Sequence, residues 1–181
     1  MRDNKRESTI RYLSFLLGLV LGTLGMLFQH FSSAPLNPDK GTVNCIGCTV
    51  AYDLTARGEN VTAISFDPEI IDGPIIKAIY PDAAEHDVPD GYDALHTCLT
   101  QRGGERGFLR YSRSRGSGHM VAYVNDHGRI YIIDAQKSMI KIPLWLFYTL
   151  DKGKKYSFSR LDNIGYTDCE TLWKVVRRCQ K

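Results

Sequence analysis

The sequence lacks a strong charge of either sign. Its 181 residues carry 23 Lys and Arg against 20 Asp and Glu, a formal net charge of +3, and the two signs alternate along most of the chain. A nucleic-acid-binding surface needs a concentrated basic patch. The densest basic stretch lies within residues 102–115, where a solvated strand edge and loop explain it better than a phosphate site. We therefore expect no nucleic-acid partner.

The sequence also lacks the second half of a zinc site. Cys45 and Cys48 form a CxxC motif, but no second CxxC follows and no two histidines lie three to five residues apart. A structural zinc ion takes four Cys or His ligands at compact spacing. A redox CxxC normally follows a strand, whereas Cys45 follows a Pro- and Gly-containing segment. We expect neither a metal nor another cofactor.

Long hydrophobic runs are absent except at the N-terminus. Residues 12–28 are uncharged and follow a basic flank within residues 1–11. A run of about 17 residues is the lower limit for a helix that crosses a hydrocarbon core of about 30 Å. Residues 32–34 resemble a signal-peptidase site, but Pro35 directly after them disfavours cleavage. We favour an uncleaved membrane anchor over a cleaved signal, with the basic flank cytoplasmic and the rest of the chain across the membrane.

The remaining sequence predicts one domain. It contains no internal repeat or low-complexity tract, and a hydrophobic fraction of 43% is sufficient for a single core. We assign residues 1–30 to the basic flank and the hydrophobic anchor or signal. Residues 31–41, with two prolines and polar residues, are predicted to be a linker. Residues 42–181 are predicted to form one compact catalytic domain.

Within this domain, helices and strands follow one another in an order typical of the α+β class. Asn44 is a suitable N-cap for a helix that begins at Cys45 and stops at Gly58. Further helices are predicted over 91–102, from Pro143 through Leu150, and from a capping box at 167–170 to about residue 180. Alternating patterns predict antiparallel strands over residues 107–112, 119–124, 129–134 and 155–161.

Cys45 has the position of an activated thiol. The N-terminus of a helix lowers the pKa of a cysteine, and the free N–H groups of the first turn can also stabilise an oxyanion. Cys48 lies one turn deeper, where a cysteine normally behaves as a small buried apolar side chain. We favour Cys45 as the nucleophile and retain Cys48 as the alternative.

His119 and Asp134 supply a base and an acidic partner on neighbouring strands. His119 is the one histidine that begins a predicted strand. With a hairpin loop centred between Asp126 and His127, His119 lies directly opposite Asp134, close enough for a carboxylate to hold an imidazole. A bulged three-residue loop would shift the register by one residue and separate the two side chains. Cys, His and Asp together form the nucleophile, base and orienting group of a thiol-dependent hydrolase.

Several ordered motifs resemble a known family. The sequence Asn44-Cys45-x-x-Cys48-Thr-Val-Ala is followed by Gly58-x-x-Val-x-Ala, by Gly118-His119 at the start of a strand, and by Gly128-Arg-x-Tyr with Asp134-x-Gln136. Over residues 44–66 and 116–137 the chain resembles the papain-fold toxin domain of bacterial polymorphic toxins and effectors.

This resemblance implies a papain-like fold, in which a helix carrying the cysteine packs on an antiparallel sheet carrying the histidine and the aspartate. It implies Cys45, His119 and Asp134 as a catalytic triad and a protein-glutamine deamidase acting on a target-cell protein. Asn44 and Gln136 are candidates for binding substrate or for positioning the triad, and a purely structural role for Gln136 is equally compatible with the sequence.

Three functions remain open at this point. The first is a toxin or effector that deamidates a glutamine side chain of a target protein. The second is a papain-like or NlpC-type cysteine peptidase or cell-wall amidase, because the same triad also hydrolyses peptide bonds. The third is a non-catalytic, membrane-anchored binding or immunity module.

The expected partners follow from these functions. They are a protein substrate, a membrane contacted through residues 12–28, and a cognate immunity protein or secretion partner. We expect the chain either on the membrane, with its catalytic domain outside the cytoplasm, or secreted and delivered to a target cell.

Overall fold

The computed structural model describes residues 36–65, 74–113, 118–137, 139–151 and 153–179. These residues belong to a compact unit that spans Ala34–Lys181. The predicted anchor and the first part of the predicted linker, residues 31–35, lie outside the described residues. Among the residues described, no helix is both long and apolar enough to cross a membrane.

The described helices and strands follow the chain in a mixed order. The elements are α1 Cys45–Ala56, β1 Val61–Ala63, α2 Pro74–Ile79, β2 Glu85–Asp87, α3 Tyr92–Arg102, β3 Arg106–Ser112, β4 Gly118–Asp126, β5 Arg129–Asp134, a 3-10 turn Ala135–Lys137, β6 Met139–Pro143, α4 Leu144–Asp151, β7 Lys154–Arg160, α5 Glu170–Trp173 and β8 Val176–Arg178.

The strands form two antiparallel sheets. Six of them pair in the order β2-β7-β3-β4-β5-β6, and β1 pairs with β8. Helix α1 packs against β4 and β1, whereas α3 and α4 contact β5. Because successive side chains of a strand point to opposite faces, the larger sheet buries two apolar layers. This arrangement confirms the predicted α+β class.

The two layers separate cleanly along the central strands. On the side of α1, Phe108 and Met120 belong to a core cluster that also contains Ile46 and Leu54. On the opposite side, the neighbouring residues Leu109 and Val121 belong to a second cluster with side chains of α3 and α4. The sheet therefore holds α1, which begins with Cys45, in a fixed place on one face.

Helix α1 is also fixed by a buried charge network. The carboxylate of Asp53, whose side chain is 3% exposed, lies 2.7 Å from Nε of Arg57 and 3.1 Å from Nε of Arg106 on β3. The hydroxyl of Tyr80 donates to the same carboxylate over 2.9 Å. Arg57 in turn donates to the carbonyl oxygen of Leu161. One carboxylate thus joins α1 to the sheet and to the segment that follows β7.

The end of the chain differs from the sequence prediction. The predicted last helix extends only over Glu170–Trp173, and Val176–Arg178 then forms a strand. Cys169 occupies the N-cap position without a side-chain capping bond, so the predicted capping box is wrong. The physical reason is tertiary: Val176 is completely buried and pairs with Ala63. Burial of β-branched residues against β1 overrides the local helix signal.

Part of the predicted linker takes part in the fold. Leu36 packs against the core, and its carbonyl oxygen accepts hydrogen bonds from Ala63 N and from the hydroxyl of Thr62. The side chain of Asn37 bonds both the N–H and the carbonyl oxygen of Gly41. The chain that leads into α1 is therefore tied to β1 and folded into a turn.

Replacing Asp53 with Ala should lower the free energy of unfolding by about 3 kcal/mol or more, because two arginines and a tyrosine lose their buried partner. Urea denaturation followed by circular dichroism measures the loss. The matched control is Glu170→Ala, which removes the exposed pair with Lys174 and should change stability little. A cost for Asp53→Ala no greater than that of the control would contradict the bracing role.

Candidate active site

Cys45 is the first residue of α1 and lies beside the start of β4. The hydroxyl of Thr49, one turn along the helix, lies 2.7 Å from the carbonyl oxygen of Cys45 and 3.2 Å from that of Met120. Since Thr49 is buried, this contact holds the first turn of α1 against β4. Cys45 itself is half-buried, as a reactive thiol must be to be both shielded and accessible.

Asn44 precedes α1 but does not cap it through its side chain. Its Nδ2 group donates instead to the carbonyl oxygen of Ile64 and to Oδ1 of Asn37, over 3.2 and 3.0 Å. Nε2 of Gln136 donates to Oδ1 of Asn44 over 3.4 Å, and Nδ2 of Asn37 donates to the carbonyl oxygen of Gln136. These three amides form a clamp, which we call the Asn37–Asn44–Gln136 clamp.

The clamp joins the two parts of the site. Asn44 is completely buried and directly precedes Cys45, and Gln136 lies two residues after Asp134. The sequence motifs point to Asn44 and Gln136 but not to Asn37, which lies in the segment interpreted as a linker. Asparagine is so common in turns that its residue type does not single out Asn37.

His119 and Asp134 form a buried pair. Nε2 of His119 lies 2.9 Å from Oδ2 of Asp134, and both side chains are 1% exposed. Since Nε2 faces the carboxylate, Nδ1 is the ring nitrogen that remains for another partner. The ring of Tyr111 packs edge-on against the imidazole, with the ring centroids 5.6 Å apart.

The pair forms in a different strand register from the predicted one. The hairpin loop is His127-Gly128, and Asp126 pairs with Arg129. Both loop residues adopt positive φ, as a two-residue hairpin turn requires. The same register extended along the strands puts Asp134 opposite Val121, so it lies diagonal to His119. The predicted direct opposition is wrong by two residues, but a two-residue shift keeps both side chains on one face.

The thiol of Cys45 and the imidazole of His119 interact. Burial acts to raise the pKa of Cys45, but its hydrogen bond to His119 and the charge of that imidazole lower it overall, aided by the backbone N–H groups of Met120 and Ile46. Burial acts to lower the pKa of His119, yet hydrogen bonds to Asp134 and Cys45 raise it overall. The lowered pKa of Cys45 and the raised pKa of His119 together favour a thiolate–imidazolium pair.

Cys48 has the opposite environment. It is 1% exposed and packs in the core on the face of α1 toward the sheet. Burial raises its pKa, and the negative charges of Cys45 and Asp134 raise it further. A thiol that remains protonated is a poor nucleophile.

A second group of charges lies behind Asp134. Burial acts to raise the pKa of Asp134, but His119 and then Lys137 lower it overall. Lys137 bridges Asp134 and Asp151, and Asp151 also binds Arg113. No sequence motif indicates this group, since its members come from the 3-10 turn, from α4 and from the residue after β3. Among the residues that the structure describes, no cluster of three or more His, Cys, Asp or Glu could hold a metal ion.

Comparison with known families agrees with this geometry. A family model described as papain fold toxin 1, glutamine deamidase, matches residues 43–139, more than half of the chain. The chain belongs to this papain-fold toxin family. The resemblance inferred from the sequence motifs is thereby confirmed, and with it the coarse assignment to cysteine-dependent deamidases of the toxin type. No curated protein and no solved structure matches the chain.

The family match covers the three candidate triad residues of this papain-fold toxin, but not Asn37 of the clamp. It begins just before Asn44 and ends after Gln136 and Lys137. The residues beyond it complete the sheet, because β7 lies between β2 and β3, and they supply Asp151.

Iodoacetamide at neutral pH should label Cys45 and leave Cys48 unmodified, because only the first thiol has a lowered pKa. Fragment-ion mass spectrometry localises the label on the shared peptide. His119→Ala should slow labelling of Cys45 by at least about tenfold, since the thiolate then loses the imidazole that lowers its pKa most strongly.

His86→Ala is the matched control for this change, because His86 lies on edge strand β2 and contacts Phe158 and Arg102. It should leave the labelling rate of Cys45 unchanged. Equal labelling of both cysteines, or a rate for Cys45 no faster than in the denatured chain, would contradict the assignment.

Proposed function

We propose that this protein deamidates a glutamine side chain of a target protein through Cys45, His119 and Asp134. The observation that carries the proposal is the convergence of three elements on one point. The N-terminus of α1 contributes a thiol of lowered pKa, β4 contributes an imidazole that bonds this thiol, and the end of β5 contributes a buried carboxylate 2.9 Å from the same imidazole.

In the first half of the reaction, the thiolate of Cys45 attacks the carbon of the glutamine carboxamide. A carbon–sulfur bond forms, and the carbonyl electrons move to oxygen to give a tetrahedral oxyanion. First-turn N–H groups of α1, which lack partners within the helix by geometry, stabilise this charge. The imidazolium of His119 then protonates the nitrogen, the carbon–nitrogen bond breaks, and ammonia leaves behind a thioester.

In the second half, neutral His119 takes a proton from water as the water attacks the thioester. The carbon–sulfur bond breaks and Cys45 leaves as a thiolate. This thiolate pairs again with the imidazolium of His119, and glutamate is released. The overall change consumes one water molecule and releases one ammonia molecule. No further reactant is needed.

Asp134 keeps His119 in the orientation that both halves require. By accepting the Nε2–H it directs Nδ1 toward Cys45 and stabilises the imidazolium form. The Asn37–Asn44–Gln136 clamp holds the first turn of α1 at a fixed distance from Asp134. We assign Asn44 and Gln136 to positioning rather than to contact with substrate, because their side-chain amides are engaged with each other.

Family membership favours an amide side chain over a peptide bond as the substrate, although this triad is chemically able to cleave both. It also favours delivery of the enzyme to a target cell, with a cognate immunity protein as partner. Residues 12–28 would then hold the chain at a membrane before or during delivery, as the hydropathy of this segment suggests.

The full-length protein incubated with a target-cell lysate in ¹⁸O-labelled water should convert specific glutamines to glutamate. Each conversion adds about 1 Da, and about 2 Da more when the incoming oxygen is labelled, because water resolves the thioester. Proteome-wide mass spectrometry locates the sites, and the isotope separates them from glutamates formed earlier.

Three variants test the assigned roles. Cys45→Ala should abolish conversion, His119→Ala should lower it at least a hundredfold, roughly the value of a general acid–base group, and Asp134→Asn should lower it by a similar factor. Cys48→Ala serves as the control and should retain activity. New protein termini in place of converted glutamines would establish a peptidase. If neither product is detected, the remaining function is a binding module.

A further inference from the structure

Behind the proposed triad, Asp151 accepts hydrogen bonds from three side chains. Its carboxylate accepts from the hydroxyl of Tyr111 on β3, from the guanidinium of Arg113 at 3.3 Å, and from Nζ of Lys137 at 3.0 Å. Burial acts to raise the pKa of Asp151, but these partners lower it to about 2. Asp151 therefore stays ionised at neutral pH.

Lys137 contacts Asp134 in two ways. Its backbone N–H donates to Oδ1 of Asp134 over 3.3 Å, and its ammonium lies 3.5 Å from Oδ2. That second oxygen is the one that holds His119. Both oxygens of the Asp134 carboxylate therefore have partners. Oδ1 accepts from the backbone N–H of Lys137, and Oδ2 contacts both His119 and the Lys137 ammonium.

The position of this cation has an electrostatic consequence. A positive charge near Oδ2 opposes the effect of the carboxylate on the imidazolium, whereas the negative charge of Asp151 draws the ammonium away from Asp134. The Lys137 side chain is 40% exposed and Asp134 is 1% exposed. The ammonium of Lys137 is therefore a partly solvent-exposed charge in direct contact with the buried His119–Asp134 pair.

We propose that Lys137, anchored by Asp151, is a positioning residue that fixes Asp134 against His119 and limits how strongly the imidazolium is stabilised. This inference deepens the proposed function and rests on it. His119 can act as an acid only while its imidazole is protonated. Lys137 lowers the pH at which that proton is lost, and Asp151 raises it.

Five other titratable or charged groups surround His119 and Asp134 among the described residues. Helix α1 presents two thiols, strand β3 with the residue after it presents a phenol and a guanidinium, and helix α4 presents one carboxylate; these are Cys45, Cys48, Tyr111, Arg113 and Asp151. Lys137 differs from these five groups because its ammonium contacts the carboxylate of Asp134 directly.

The test is the ¹⁵N NMR titration of the His119 ring, assigned by its loss in His119→Ala. It is carried out in full-length Cys45→Ala protein, so that the thiol does not share the titration. Lys137→Met should move the midpoint of His119 to higher pH, because the carboxylate is no longer opposed. Asp151→Asn should move it to lower pH, and the double variant should return toward the starting value.

The controls separate charge from structure. Lys137→Arg should keep the starting midpoint, and Lys174→Met, which removes a comparably exposed lysine from a remote pair, should not move it. Midpoints that fail to move in opposite directions in the two single variants overturn the inference. If iodoacetamide labelling of the unmodified chain also shows no activated Cys45, the proposed function fails with it; if Cys45 is activated, only the role of Lys137 fails.

Discussion

The rest of the site depends on a single contact, the one between Nε2 of His119 and Oδ2 of Asp134. Two ionisable side chains that are each 1% exposed are stable only when they satisfy each other, because an isolated buried charge costs far more than a buried pair. The contact also fixes the ring of His119, and a fixed ring leaves one nitrogen available for a thiol. The held imidazole then supplies the hydrogen bond and the charge that lower the pKa of the half-buried Cys45 against the effect of burial.

The architecture brings this pair and the thiol together from opposite ends of the site. Helix α1 is braced on the sheet through Asp53, and the Asn37–Asn44–Gln136 clamp links its first turn to the turn that follows Asp134. The sheet keeps His119 and Asp134 on one face through a short hairpin with a strict two-residue loop. We propose that Lys137, anchored by Asp151, further fixes Asp134 and adjusts the charge of the pair. The hydrogen bonds between elements position the site, and the charge of His119 and its hydrogen bond to Cys45 lower the pKa of the thiol against the effect of burial.

The sequence alone predicted the features that local rules govern. Residue periodicity and the residue types at element ends predict α1, the helix over 91–102 and the central strands, although the Asn44 side chain makes no capping bond. The family motifs lie on these elements. Asp134 was paired with His119 from the wrong register, and the pairing survived only because a shift of two residues preserves the face of a strand. The features that were missed depend on distant residues. Val176 forms a strand because Ala63 is there to pair with it, and Asp151 reaches the site from a helix beyond the family match.

The central claim is that His119 maintains Cys45 as a thiolate, and the ultraviolet absorbance of that thiolate tests it most directly. The difference between the full-length chain and Cys45→Ser isolates this thiol from the other four cysteines. The account predicts that Cys45 ionises below the ordinary thiol value of 9.0, and that in His119→Ala it ionises at higher pH because the hydrogen bond and the charge of the imidazole are lost. Ionisation of Cys45 at or above the ordinary value in the unmodified chain, or at the same pH with and without His119, would contradict it.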